Sequence, residues 1–195
     1  MKKTLLATSL FASSLFAATA MAATVPGGTL NFVGTVVDAA CAVSAGQGGT
    51  NSTVQMGQVT LRSMGTSTTT GTTTPVTTTT YVAGTRANVT QPFKIVLTAC
   101  DTTTQKNAAI TFKGTASVGN TKVLSVGTGA GSAQGIGLQI YGANGTAIDL
   151  GDASPVIALN AGENSLDFSA DYITTSTTPK AGQANATATF TVTYS

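Results

Sequence analysis

The chain has 195 residues, of which 42% are hydrophobic and only 8% charged, with a formal net charge of +2. Beyond Lys2 and Lys3 the basic residues stand singly, and a protein that neutralises phosphates needs them clustered, so the pattern argues against a nucleic-acid partner. The sequence contains no histidine, which removes Ser-His-Asp and Cys-His nucleophilic arrangements and leaves little to bind a metal or cofactor.

Residues 1–22 read as an export signal. Lys2 and Lys3 form a basic start, Leu5 to Ala18 an apolar run, and Ala20-Met21-Ala22 a small-x-small cleavage pattern, with cutting expected after Ala22 or Ala23. No other stretch approaches the roughly 20 apolar residues that a membrane span needs. Removing the signal takes both surplus lysines with it, so residues 23–195 carry seven basic against seven acidic groups.

Residues 23–36 follow as an extended N-terminal segment. Leu30, Phe32, Gly34 and Val36 share one face of it, with Thr29, Asn31 and Thr35 on the other. Such a segment serves equally as a first strand pairing within its own fold or as an arm that adds to another molecule's sheet edge. Cys41 comes next, with Cys100 its only possible partner. An exported chain with two cysteines favours a disulfide, which closes a loop of about 60 residues and contributes roughly 4 kcal/mol in the chain-entropy model; two buried thiols are the alternative.

Residues 66–80, TSTTTGTTTPVTTTT, are of low complexity and are expected to form a mobile surface loop, an exposed spacer rather than a glycosylated or variable loop. Strand signals then accumulate. Phe93, Ile95, Leu97 and Ala99 alternate with polar or lesser neighbours, as do Ile136, Leu138 and Ile140. The run GTGAGSAQGIG at 127–137 lacks the spacing and lysine of a phosphate loop and reads as a connection. Leu166, Phe168, Ala170 and Tyr172 alternate with Asp167, Ser169 and Asp171, placing those aspartates on a solvent face. Ala186, Ala188, Phe190, Val192 and Tyr194 alternate with threonines. Turn signals such as Ala143-Asn144-Gly145 and Gly151-Asp152 punctuate the chain, and no long 3.6-residue period appears. The fold class expected is an antiparallel β-sandwich occupying residues 37–195. Nothing points to a paired-carboxylate enzyme, and four N-x-[ST] triplets (at Asn51, Asn88, Asn144 and Asn185) carry no weight in so Thr-rich a chain.

GGTLNFVGTVVDAACAV at 27–43 resembles the N-terminal signature of type 1 fimbrial (chaperone–usher) major pilin subunits. TVQMGQVTLRSMG at 53–65 resembles the strand that follows in that family, and PFKIVLTACD at 92–101 its second-cysteine segment. GIGLQIYGANGTAIDLG at 135–151 and residues 166–194 resemble the rest of the domain, with Gly182 and the penultimate Tyr194 in the family's C-terminal pattern. The Thr-rich tract is the main departure. The resemblance implies an incomplete immunoglobulin-like sandwich completed by a neighbour's donor strand. Leu30, Phe32, Gly34 and Val36 would face the neighbour's groove, while Gly182, Phe190, Val192 and Tyr194 would mark the edge strand that a periplasmic chaperone holds. The implied partners are neighbouring pilin subunits, that chaperone and an outer-membrane usher. The implied location is a fimbrium on the bacterial surface, reached through the periplasm. A tip adhesin, which adds a whole lectin domain, does not fit the length. The alternative from another class is a self-contained secreted sandwich that binds carbohydrate or a host protein.

Overall fold

The computed structural model describes residues 39–44, 52–72 and 74–195. The signal segment and the arm residues Leu30, Phe32, Gly34 and Val36 lie outside them.

Twelve strands account for about half of the described chain, and every strand pairing is antiparallel. In chain order they are β1 (Ala42–Val43), β2 (Gly65–Thr70), β3 (Val76–Tyr81), β4 (Gln91–Cys100), β5 (Asn107–Gly114) and β6 (Ala116–Ser117). β7 (Asn120–Ser125), β8 (Ile136–Gly142), β9 (Ala147–Ile148), β10 (Ile157–Ala158), β11 (Gly162–Thr174) and β12 (Ala188–Tyr194) complete the set. The larger sheet runs β1-β4-β11-β8-β7-β6 with β9 beside β8; the smaller runs β10-β5-β12; β2 and β3 form a separate ribbon.

The two sheets bury one core between them. Ile95 and Leu97 from β4, Leu166 and Phe168 from β11, Ile140 from β8, and Ala108, Ile110 and Phe112 from β5 all point into it. Phe93 and Phe168, cross-strand partners in the larger sheet, stack with ring centroids 5.7 Å apart. Phe112 of the smaller sheet meets both edge-on, at 6.1 and 5.3 Å. Offset and edge-to-face rings add to plain area burial, so this trio fastens sheet to sheet.

The alternation read along residues 93–99 changes phase at its end. Ala99 is exposed, with φ +52°, and Cys100 is buried in its place. Gly162 pairs with Cys100 and Asn164 with Leu97, so β4 spends an extra residue there: a β-bulge that turns Cys100 inward to its disulfide with Cys41. The stretch 53–60 is another departure. It joins no ladder among the described residues and leads into a 3-10 turn, Leu61–Met64. Burial anchors it instead: Met56, Val59 and Leu61 pack on a second cluster of Met64, Ala87, Val126, Ala133, Ile136 and Tyr172.

Asp171 does not face solvent; it is fully buried. The alternation of β11 ends at Ala170 because residues 84–89 then replace β4 alongside it. Ala87 N–H bonds Tyr172 O at 2.9 Å and Thr174 N–H bonds Thr85 O at 3.0 Å. The Asp171 carboxylate accepts from Arg86 Nε at 3.2 Å and from the backbone N–H groups of Asn88 (3.0 Å) and Val89 (3.3 Å), and the Arg86 guanidinium lies 4.0 Å above the Tyr141 ring. A buried carboxylate persists only with such partners.

The Thr-rich tract is a hairpin rather than a loop without structure. β2 and β3 pair in unbroken register from Gly65↔Tyr81 to Thr70↔Val76. β-Branched threonine suits extended backbone. Ser67–Thr79 and Thr69–Thr77 hydroxyls also meet across the strands at 3.0 Å. The Tyr81 ring lies so close over Gly65 that a Cβ there would stand 2.8 Å from it. Nearly the whole ribbon is exposed, as a spacer would be.

Replacing Asp171 with Ala should lower stability by about 2–3 kcal/mol, read from the urea midpoint, because a charged acceptor of three hydrogen bonds is lost. Replacing both cysteines with Ala should cost about 4 kcal/mol, given their sequence separation of 59.

Candidate functional site

Among the described residues β12 has one strand neighbour, β5. Its register with β5 sets Phe190 opposite Phe112, Val192 opposite Ile110 and Tyr194 opposite Ala108, so all six share the core-facing side. The β5 members are buried, yet Phe190, Val192 and Tyr194 are only half-buried. Among the described residues no strand pairs with the far edge of β12. The strand carries no charge and no proline, two of the devices by which exposed edges are commonly blunted. An extended segment with apolar residues at every second position could both complete this ladder and cover the three half-buried side chains.

The end of β12 is fixed firmly. Ser195 N–H donates to Asn107 O at 3.0 Å, and Ser195 O accepts from the N–H groups of Lys106 (2.9 Å) and Asn107 (2.8 Å). Tyr194 hydroxyl donates to Cys41 O at 3.1 Å, and Asp101 N–H donates to Ala40 O at 2.8 Å. The disulfide therefore sits where the outermost strand of the smaller sheet approaches β1, the outermost strand of the larger one. Burial raises the Tyr194 hydroxyl's pKa above the ordinary tyrosine value, and does the same for Tyr141 and Tyr172.

Phe190, Val192 and Tyr194 thus lie together on one strand, whereas Gly182 lies outside it. Gly182 belongs to the crossing between β11 and β12, which is clasped to residues 131–134. Gln183 N–H donates to Gly131 O and Ala133 N–H to Gln183 O, both at 2.8 Å; Lys180 and Gln134 exchange bonds of 2.9 and 3.0 Å. A Cβ on Gly182 would stand 2.5 Å from Ala133 N, Gly131 O and Ser132 C. Backbone passing backbone demands glycine here. Tyr172 hydroxyl secures the same crossing by donating to Ala184 O at 2.6 Å. Sequence reading missed this clasp and the Arg86–Asp171 anchor. The Gly-rich 127–137 run and Gly182 were its visible halves, but no local pattern shows that they touch.

Residues 30–195 match the family model described as fimbrial protein. Among curated relatives, the type-1 fimbrial protein A chain of Escherichia coli K12 is 41% identical over 175 residues, covering 87% of this chain and 85% of its own. The fimbrial subunit type 1 of Klebsiella pneumoniae is 41% identical over 176 residues, with 87% and 85% covered. Among solved structures, a chaperone–usher pilus aligns at TM-score 0.63 and 23% identity over 89% of this chain and all of that one. The P pilus rod subunit PapA aligns at 0.57 and 20%, over 80% of this chain and 100% of its own. At these identities the two structures speak for the fold.

Gly182→Ala should destabilise the subunit by about 1–3 kcal/mol, the usual range for overpacking, seen as a lower urea midpoint in the purified protein. Tyr194→Phe should cost about 1 kcal/mol, the net worth of one hydrogen bond. Raised phenol pKa values stabilise the fold fully below the unfolded value of 10.0 and are lost as pH climbs through the folded values. Stability tracked by circular dichroism should therefore fall above about pH 10 as tyrosinate absorbance appears.

Proposed function

The chain belongs to the fimbrial protein family, and from that premise we propose that it is a structural subunit of a chaperone–usher fimbria that polymerises by donor-strand exchange. The observation that carries this reading is the condition of β12: half-buried Phe190, Val192 and Tyr194 beside an edge with no strand partner among the described residues. Residues 23–36 of a neighbouring copy are the proposed occupant. Leu30, Phe32, Gly34 and Val36 recur at every second position, the period an added strand needs to present one face to a groove. A side chain at Gly34 would collide with the groove floor. Each fully buried apolar side chain contributes about 1.5–3 kcal/mol, and a backbone ladder adds to that, so such a contact releases slowly.

Arm and edge are different surfaces of one molecule. A contact between them is head-to-tail, does not close on itself and generates a filament. Before assembly the same edge needs a temporary cover, the role assigned to a periplasmic chaperone, with an outer-membrane usher as the place of exchange. Through those steps the subunit reaches a surface fimbrium used in adhesion.

Material released from the cell surface should run as a ladder on an unboiled denaturing gel and collapse to one band on boiling. Deleting residues 23–36, or substituting Phe32→Asp or Gly34→Asp, should abolish the ladder while the subunit is still made. A single monomer band from every version would instead establish a self-contained secreted sandwich.

A further inference from the structure

We propose that the Thr-rich ribbon formed by β2 and β3 is a self-pairing element, which joins one copy edge to edge with the ribbon of a second copy. On the filament reading given above, on which its setting rests, this is a lateral contact between neighbouring filaments.

The inference begins from how the sheet edges differ. β1, β6, β9 and β10, the outlying strands of the two sheets apart from β12, are two residues long. Very short edges are one way in which folded proteins prevent unwanted pairing. β12 is long, and the donor arm accounts for it. That leaves β2 and β3, six residues each, as the other long outlying strands, and neither outer edge meets a third strand among the described residues.

The ribbon also lacks the remaining protective devices. No charged residue occurs between Arg62 and Arg86, Pro75 sits in the turn rather than in a strand, and the register has no bulge. This absence of charge selects the occupant. A second copy brings an equally neutral edge, so no like-charge juxtaposition in any register opposes the approach of ribbon to ribbon. The hydroxyl pairs Ser67–Thr79 and Thr69–Thr77 already form a cross-strand array, and an added strand of the same sequence extends those rows. Val76, 61% exposed at the ribbon's far end, loses water in the same event. A two-stranded ribbon is marginal by itself, and further strands strengthen it.

Thr78 lies mid-strand and exposed, opposite Thr68. The test compares wild type, Thr78→Lys, Thr78→Glu and an equal mixture of the two variants, each recovered from the cell surface and followed by sedimentation velocity. In an antiparallel pairing of two β3 edges centred on Thr78, that residue faces its counterpart in the other copy. Wild type should therefore sediment as laterally associated material, each variant alone should lose that association, and the mixture should regain it by pairing lysine with glutamate. Wild type that sediments as isolated particles, or variants that associate as wild type does, would overturn the proposal. So would variants that disperse without recovery on mixing, since that marks a misfolded ribbon. The boil-sensitive ladder, read on the same samples, should be unaltered throughout; its absence counts against strand exchange, and association between the resulting monomers still reports on the ribbon.

Discussion

The structure turns on a strand, β12, that has a single strand neighbour among the described residues. β12 contributes Phe190, Val192 and Tyr194 to the core, yet β5 alone holds its backbone among the strands described. Much of the surrounding structure keeps that strand in place. Phe112, opposite Phe190, is locked edge-on against Phe93 and Phe168 of the other sheet. Ser195 is bonded once to Lys106 and twice to Asn107, where β5 begins, and Tyr194 reaches across to the carbonyl of a disulfide cysteine. On the proposed reading this edge accepts a strand, and ordering it only at the moment of binding would subtract from the contact.

The crossing into β12 serves the same end. Between β11 and β12 the chain runs without regular strand structure, which invites local opening. Paired backbone bonds between residues 180–183 and 131–134, together with the Tyr172–Ala184 bond, tie it down. Gly182 is what permits the two backbones to pass so closely. On the opposite side of β11, Asp171 gathers Arg86 and two backbone amides, and so fixes residues 84–89 as a continuation of the sheet.

How much of this was legible in the sequence followed the range of the forces involved. Period-two alternation declared β11 through Leu166 to Ala170 and β12 through Phe190 to Tyr194, because one face of each meets the core along its length. The same rule failed at Asp171, where a segment about eighty residues earlier in the chain covers what would be a solvent face, and at Ala99, where a bulge shifts the phase. Composition misled at residues 66–80: low complexity suggested a loop, but repeated β-branched residues can hold a ribbon through cross-strand hydroxyl pairs with no core to bury. The cysteine pair was readable from export and an even count, and the bond is present. Its meeting with Tyr194, from the far end of the chain, was not.

That meeting has a mechanical meaning. In a filament of the proposed kind, tension enters each subunit through the segment preceding residue 39 and reaches Cys41 almost at once. β1, only two residues long, could be peeled from β4 one hydrogen bond at a time. The disulfide bypasses it, passing the pull covalently to Cys100 at the end of β4, a ten-residue strand paired along most of its length with β11. Load along β4 and β11 then acts on many ladder bonds together, in shear. A subunit pulled from that side would resist unravelling with the whole β4–β11 ladder rather than with two residues of β1.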